Sequence, residues 1–299
     1  VFVCPMDRNE VFARITTLYG ASILEFKPHG KDEFIEIPKG TAHFLEHKMF
    51  AKKDGVDIMN EFQQNGASNN AFTSSHVTSY YFSAPNKFFE NLENLLHLVT
   101  EPYYTEENVA KEQGIIDQEI KAGFDDPEQS AYYTTLLNTF SELPYRYPVA
   151  GYTDSIKDIT PEILYDCYNT FYHPSNMVLT ITGNVDADET IKFIKDFYGK
   201  LDYTVMPQIE VKQYDEPREV LKEEETVYKD VSNYMLENAY KVYLKDSNID
   251  LLKTLEYIEI YLTIKFGSIS KFNQECFEDK NILTPIHYMM DSKDDYLYL

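Results

Sequence analysis

The sequence has few cysteines and no long apolar run, and each of these shortages excludes a class of protein. Three cysteines occur among 299 residues, and Cys4, Cys167 and Cys276 lie too far apart for a disulfide framework or a cysteine metal site. We therefore predict a cytoplasmic protein in which Cys167 is a small buried hydrophobe rather than a nucleophile. No stretch of about 20 apolar residues is present, so no transmembrane helix is predicted.

Basic side chains are also scarce. Lysine and arginine number 27 against 50 aspartates and glutamates, which gives a formal net charge of −23. Binding to a nucleic-acid backbone needs clustered lysine and arginine, so nucleic acid is excluded as a partner. Two interpretations of the acidic surface stay open: it keeps the protein soluble, or it attracts basic peptides by long-range electrostatic steering.

The most informative feature that is present is the segment His43-Phe44-Leu45-Glu46-His47. Residues four apart lie on one face of an α-helix, so the two histidines can bind one divalent ion, with zinc–nitrogen distances of about 2.0–2.1 Å. Glu46 lies on the same face and can reach a water on that ion without being a ligand. Zinc lowers the pKa of such a water to roughly 7, and a neighbouring carboxylate can take its proton. The spacing is the inverzincin pattern H-x-x-E-H and predicts zinc-dependent hydrolysis.

A catalytic zinc usually has three protein ligands, so a third donor must come from another segment. Thr105 is a good N-cap, and Ile116 and Ile120 have the spacing of an apolar helix face in the segment that follows it. Glu112 and Glu119 in this segment are seven residues apart, nearly two helical turns, and project from the same side. Glu119 is the candidate third ligand. Glu112 either supports a histidine from behind or is an ordinary solvated acid of a charged helix.

The other elements are predicted from periodicity and from cap and turn residues. Strands are predicted at 12–17, 69–73, 79–84, 178–183, 220–244 and 295–299, and helices at 56–64, 86–99, 130–140, 161–172, 188–197, 250–266 and 268–277.

A predicted linker over Lys200–Glu219, with two prolines and mixed charges, divides the chain. We expect a zinc-binding catalytic α+β domain over residues 1–205 and a partial second α+β domain of similar fold over residues 206–299, in line with a soft prior of roughly 150 residues per domain. The sequence starts at Val1 rather than methionine and ends in a predicted strand, so we expect it to be clipped at both ends.

Two further segments carry a resemblance to a known family. Residues 66–73 (GASNNAFT) are similar to that family's glycine-rich approach to an N-A-x-T edge strand, and residues 171–177 (FYHPSNM) lead into a strand. Together with the two histidines and the pair Glu112 and Glu119, in the expected order, these segments resemble the pitrilysin or insulinase family of zinc peptidases.

The resemblance implies an α+β fold: a pitrilysin-like (metalloenzyme LuxS/peptidase-type) half, with a mixed antiparallel sheet packed against helices, duplicated with the second copy incomplete. It implies a zinc metalloendopeptidase with Zn²⁺ as its cofactor. His43, His47 and Glu119 would be the ligands, Glu46 the catalytic base, and Glu112 an outer-shell acid of the catalytic site.

The resemblance also implies how a peptide substrate binds. It would add as a strand along Asn70, Ala71, Phe72 and Thr73, with affinity supplied by backbone hydrogen bonds. The other interpretation of these four residues is a plain half-buried strand.

Among family members, the chain resembles most the bacterial single-repeat proteins that work as pairs, including pitrilysin-like proteins associated with elongation factor P modification. In such pairs one subunit supplies an arginine and a tyrosine, so a homo- or heterodimer with a pitrilysin-like subunit is expected. Two other functions stay open: a non-peptidase scaffold or processing subunit of a pitrilysin-like complex, and a zinc hydrolase of a non-peptide amide.

Overall fold

The computed structural model describes residues 1–53, 55, 58–203, 208–244, 250–293 and 296–299, and the chain forms two compact units. The first unit comprises residues 1–130 and 143–214, and the second comprises residues 131–142 and 215–299. Along the chain the units change after residues 130, 142 and 214, and the last of these boundaries lies inside the predicted linker. The predicted domains, 1–205 and 206–299, stay a prediction.

The strands are β1 Phe2–Pro5, β2 Val11–Thr17, β3 Glu25–Phe26, β4 Ile35–Glu36, β5 Ser68–Thr73, β6 Thr78–Ala84, β7 Met177–Gly183, β8 Lys241–Tyr243, β9 Asp291–Lys293 and β10 Tyr296–Tyr298. The α-helices are α1 Thr41–Met49, α2 Ile58–Gln64, α3 Phe88–Thr100, α4 Glu106–Asp125, α5 Pro127–Thr139, α6 Pro161–Phe171, α7 Ala187–Tyr198, α8 Leu251–Phe266 and α9 Lys271–Glu278. Each predicted helix is confirmed with small shifts at its ends; residues 56 and 57 of the predicted helix 56–64 lie outside the described residues.

A five-stranded sheet organises the first unit, in the order β1-β7-β2-β6-β5. The strand β1 is parallel to β7, and the other neighbours are antiparallel. Central strand β2 buries Val11, Ala13, Ile15 and Thr17 at alternate positions, because side chains of a strand point to opposite faces in turn. This mixed sheet, packed on helices, confirms the predicted fold class and leaves β5 at one end of the sheet.

The core of the first unit lies between the inner face of this sheet and the helices. Phe44 of α1, Phe82 of β6, Leu95 of α3 and Phe171 of α6 are each 0 % exposed and belong to one apolar cluster. Burying a large apolar side chain of this kind contributes about 1.5–3 kcal/mol. Because the motif helix contributes to this cluster, its position is set by the core, and its histidines are held with it.

A three-stranded antiparallel sheet in the order β8-β10-β9 lies in the second unit, together with α8 and α9. The prediction of strands over 220–244 was wrong apart from Lys241–Tyr243, because strand-favouring side chains form a strand only where a partner edge is available. The predicted C-terminal strand is confirmed as Tyr296–Tyr298; residue 295 lies outside the described residues.

The predicted linker also contains paired backbone. Val211 forms a bridge with Phe26 of β3, and the backbone N–H of Lys212 donates to the carbonyl of Glu25. Over the described part of the chain, none of the helices has the length and apolarity that crossing a bilayer requires.

Candidate metal centre

The helix that carries the zinc motif starts at a tight contact between two glycines. Gly40 is the N-cap of α1 with φ of 93°, and Gly151 has φ of 76°. A Cβ on Gly40 would lie 2.4 Å from the carbonyl oxygen of Ala150, and one on Gly151 would lie 2.3 Å from that of Lys39. Glycine is the residue that adopts such left-handed conformations without strain. The two glycines therefore let the 148–151 loop fix the start of α1.

The helix α4 brings the third donor to this helix. Thr105 caps α4 by accepting a hydrogen bond from the Asn108 backbone N–H, and the Asn108 side chain accepts one from the Thr105 N–H. This reciprocal cap fixes the first turn of α4. Glu112 and Glu119 then follow on the side that faces α1, as their seven-residue spacing predicts.

The predicted ligands His43, His47 and Glu119 form a compact group. Their donor atoms all lie within 4.8 Å of one another. His43 Nε2 is 3.4 Å from Glu119 Oε1, and His47 Nε2 is 3.6 Å from Glu119 Oε2. Ligands of a tetrahedral zinc ion, at about 2.0–2.2 Å from it, are roughly 3.3–3.6 Å apart. Both the donor types and their separations fit a zinc ion.

Glu112 lies behind His47. His47 Nδ1 is 3.2 Å from Glu112 Oε1. Because a carboxylate can only accept, this hydrogen bond assigns the proton to Nδ1 and leaves Nε2 of His47 as the donor to a metal. Of the two interpretations of Glu112, the geometry favours the support of a histidine.

The hydrogen-bond partner of Glu46 lies outside the group of three predicted ligands. Its side chain is 7 % exposed, and Thr73 of β5 donates a hydrogen bond of 2.7 Å from its Oγ1 to Glu46 Oε2. Burial raises the pKa of Glu46 above its ordinary value, against the opposing effect of the Thr73 hydrogen bond. This carboxylate is therefore a better proton acceptor than an exposed glutamate.

The ionisable groups around the predicted metal site shift one another's pKa values. For His47, burial acts to lower the pKa, but the hydrogen bond with Glu112 and the charges of Glu46 and Glu119 outweigh it, so the pKa is raised. Burial acts to raise the pKa of Glu112, but the hydrogen bond with His47 and the charge of Lys48 bring it below its ordinary value. The hydrogen bond with His43 lowers the pKa of Glu119. Glu112 and Glu119 are thus held ionised, which is the form in which Glu119 would bind a metal.

The predicted substrate strand forms the end of the sheet beside this group. Along β5, Asn69, Ala71 and Thr73 are half-buried, whereas Asn70 and Phe72 are exposed on the other face. The backbone N–H of Ala71 donates to the Asn70 side-chain oxygen at 2.9 Å. The Asn70 side chain therefore accepts a hydrogen bond from one backbone N–H of β5. An added peptide strand would pair along this same edge.

Several features were not predicted from the sequence. The roles of Gly40 and Gly151, the hydrogen bond from Thr73 to Glu46, and the burial of Lys48 against Glu112 all depend on contacts between segments distant in the chain. Of these features, the burial of Lys48 had a local signal in the sequence: a lysine directly follows His47 in a helix that is otherwise largely buried.

Two family models match the chain. Residues 36–151 match the model described as "Insulinase (Peptidase family M16)", and residues 158–258 match the "Peptidase M16 inactive domain". The two histidines, Glu46, Glu112 and Glu119 all lie in the first of these ranges.

Individual relatives agree with these matches. "Uncharacterized zinc protease YmfH" of Bacillus subtilis (strain 168) is 44% identical over 230 residues, which are 77% of this chain and 52% of the relative. A crystal structure described as a "putative M16-like peptidase from Alicyclobacillus acidocaldarius" is 31% identical with a TM-score of 0.86, over 99% of this chain and 70% of that one. A protease from Helicobacter pylori, 17% identical with a TM-score of 0.78 over 99% of this chain and 70% of that one, shares the fold.

The chain spans about half the length, 52% and 40%, of curated relatives that it matches, from Bacillus subtilis and Rickettsia felis. The association with elongation factor P is not tested by these comparisons and stays a prediction. The fold, the zinc-protease relatives and the family match over the segment that carries the motif agree: the chain belongs to peptidase family M16, the insulinase family of zinc proteases.

Proposed function

We propose that the protein is a zinc-dependent metalloendopeptidase. His43, His47 and Glu119 would hold the zinc ion, and Glu46 would act as general base and then general acid. The observation that carries the proposal is the position of Glu46: it is buried on the same helix face as the two histidines, and its Oε2 is held by Thr73 of the edge strand.

The residues around the metal would share the work of hydrolysis. When bound, zinc supplies Lewis acidity that lowers the pKa of a water and polarises the scissile carbonyl. Glu46 takes the proton of the attacking water at Oε1, because Oε2 is hydrogen-bonded to Thr73, and passes that proton to the leaving amine. The raised pKa of Glu46 supports both transfers, since a base works best when its pKa approaches the operating pH.

The substrate would bind as an added strand along β5. Thr73, which lies on this strand, donates to Glu46, so a peptide paired with residues 70–73 would run beside the catalytic carboxylate. Peptides bound by strand addition are held mainly through their main chain, and affinity then depends weakly on side-chain identity. This supports a peptide or an unfolded segment as the substrate class.

The proposal is tested by comparing zinc content and peptide cleavage in the full-length protein and its Glu46→Gln variant. Gln keeps the shape but cannot accept a proton, so we expect wild-type zinc content and a loss of turnover of about 10²–10⁴-fold. Glu90→Gln, an exposed change on α3, is the matched control and should behave as wild type. Normal turnover in Glu46→Gln would require another base. Zinc binding without any cleavage in the wild type would favour a scaffold or processing subunit.

We further propose that the protein works in the cytoplasm as a homo- or heterodimer, with an arginine and a tyrosine supplied by a pitrilysin-like partner subunit. The three free cysteines suit a reducing compartment. Size-exclusion chromatography with light scattering, read together with activity, tests the dimer. Full peptidase activity in a monomer would contradict it.

A further inference from the structure

The metal helix carries a buried lysine that the proposed reaction does not use. Lys48 follows His47 directly, and its side chain is 3 % exposed. Lysine is rarely buried to this degree unless its charge is paired. The partners of Lys48 therefore indicate why the helix tolerates it.

Among the described residues, the partners of the Lys48 ammonium lie on α4. Its Nζ donates a hydrogen bond of 3.1 Å to the carbonyl of Asn108 and lies 3.6 Å from Glu112 Oε2. Asn108 is the residue that closes the cap of α4 with Thr105, so this carbonyl belongs to a fixed turn. Lys48 thus ties the metal helix to the helix that carries both Glu112 and Glu119.

The two oxygens of Glu112 are divided between neighbours on α1. Oε1 accepts from His47 Nδ1 at 3.2 Å, while Oε2 faces the ammonium of Lys48. A carboxylate held at both oxygens has little freedom to rotate away from the imidazole. By contrast, His43 Nδ1 is buried with no hydrogen-bond partner in the described part of the chain. Support of the ligand pair from behind therefore falls on Glu112.

We propose that Lys48 is a positioning residue of the metal centre, which acts through Glu112 to fix the ring of His47 and sets the approach of α4 to α1. Groups that orient a metal-bound histidine typically change metal affinity by 10–100-fold when they are removed. Lys48 contacts Glu112 rather than the histidine itself, so we expect its removal to weaken zinc binding by a factor at the lower end of that range. This inference rests on the proposed zinc site.

The test compares zinc affinity in the wild type, Lys48→Met, Glu112→Gln and the double variant, by competition with a chromophoric chelator. We expect about tenfold weaker binding in Lys48→Met. In the Glu112→Gln background the same change should have little further effect, because Lys48 acts through that carboxylate. The absorption spectrum of the Co²⁺-loaded protein should shift in Lys48→Met and stay unchanged in the control variant Lys52→Met.

Lys52→Met is the matched control. Lys52 is a nearby lysine whose Nζ donates to the carbonyls of His97, Leu98 and Glu101 at the end of α3. Its replacement should lower the thermal midpoint of the metal-free protein and leave zinc affinity unchanged. Lys48→Arg, which keeps the charge, should recover most of the affinity that Lys48→Met loses.

The outcomes separate this inference from the zinc site itself. Wild-type affinity in Lys48→Met, or an equal loss with and without Glu112, overturns the role of Lys48 and leaves the site intact. If Lys48→Met does not fold without metal, Lys48→Gln is compared in its place, because its shorter, uncharged side chain still ends in a hydrogen-bond donor. Wild-type zinc affinity in Lys48→Gln also overturns the role. A wild-type protein that binds no zinc overturns both proposals.

Discussion

Thr73 links the proposed substrate strand, β5, to the proposed catalytic carboxylate of Glu46 through one hydroxyl group. Val has nearly the same shape but cannot donate, so Thr73→Val removes the 2.7 Å hydrogen bond to Glu46 together with the longer, 3.3 Å contact between Thr73 Oγ1 and Thr78 Oγ1. A hydrogen bond to a charged group contributes about 1.5–3 kcal/mol. We expect turnover to fall by roughly 10- to 100-fold, with zinc content unchanged, in a peptide-cleavage assay. Thr73→Ser keeps the hydroxyl and should stay close to wild type. Equal losses of turnover in Thr73→Val and Thr73→Ser would mean that turnover does not depend on the Thr73 hydroxyl.

Cys167 differs from the other cysteines in its surroundings. It is 0 % exposed and accepts a hydrogen bond from the hydroxyl of Tyr19. Burial raises the pKa of Cys167 to about 12. At pH 8 its thiolate fraction is then on the order of 10⁻⁴, and the thiolate is the reactive form. We expect iodoacetamide to label exposed Cys4 in the native protein and to spare Cys167 until urea is added, as peptide mass spectrometry would show. Equally fast labelling of both would contradict the buried-hydrophobe interpretation.

At the scale of elements, the start of α1 depends on two glycines that the surrounding backbone leaves no room to replace. In Gly151→Ala the new Cβ would lie 2.3 Å from the carbonyl oxygen of Lys39, at a φ of 76°. The left-handed conformation alone costs about 1–2 kcal/mol for a residue with a Cβ, and the close contact adds to it. We expect a lower free energy of unfolding by at least 1–2 kcal/mol and weaker zinc binding, measured by urea unfolding and chelator competition.

Gly114 provides the matched control for this change. It lies within α4, and a Cβ there would meet no heavy atom within 4 Å. Gly114→Ala should raise the free energy of unfolding by about 0.5–1 kcal/mol, because alanine loses less backbone entropy in a helix. If Gly151→Ala and Gly114→Ala lowered the free energy of unfolding equally, the close contact of Gly151 with Lys39 would not be the cause of the loss.

At the scale of the whole molecule, a buried ion pair joins segments of the second unit that are distant in the chain. Lys241 of β8 donates to Glu216 at 2.6 Å, and the two side chains are each 1 % exposed. Glu216 also accepts hydrogen bonds from the backbone N–H groups of Ser141 and Glu142. Lys241 Nζ also donates to the carbonyls of Thr139 and Glu219, so the pair joins residues 139–142, the 215–219 segment and β8 within this unit.

Lys241→Met removes a buried ammonium and leaves the buried Glu216 carboxylate without this ion-pair partner. We expect Lys241→Met to lower the free energy of unfolding by about 3–5 kcal/mol, as measured by urea unfolding followed by circular dichroism. Lys253 forms an exposed pair with Asp250 in the same unit, with side chains 69% and 54% exposed. Lys253→Met should change the same free energy by less than about 1 kcal/mol. Comparable effects would show that burial of the Glu216 pair does not matter.

The sequence determined the features that depend on local spacing. The zinc motif, the cap at Thr105 and the seven-residue interval between Glu112 and Glu119 predict two helices with their acidic and imidazole groups on defined faces. These predictions are confirmed because the geometry of an α-helix is repeated at every turn, whatever surrounds it. The resemblance to the insulinase family added the mixed antiparallel sheet packed against helices and the edge position of β5, whereas the order of the strands came from the structure.

The tertiary structure alone decided which of these faces meet. The contact of Thr73 with Glu46, the burial of Lys48 against α4 and the pairing of Lys241 with Glu216 join residues between 25 and 64 positions apart. The strands wrongly predicted over 220–244 failed for the same reason, since a strand exists only with a neighbour to pair with. Local spacing fixes the direction in which a side chain leaves its own helix or strand, whereas its partner is set by how distant segments pack around a shared core.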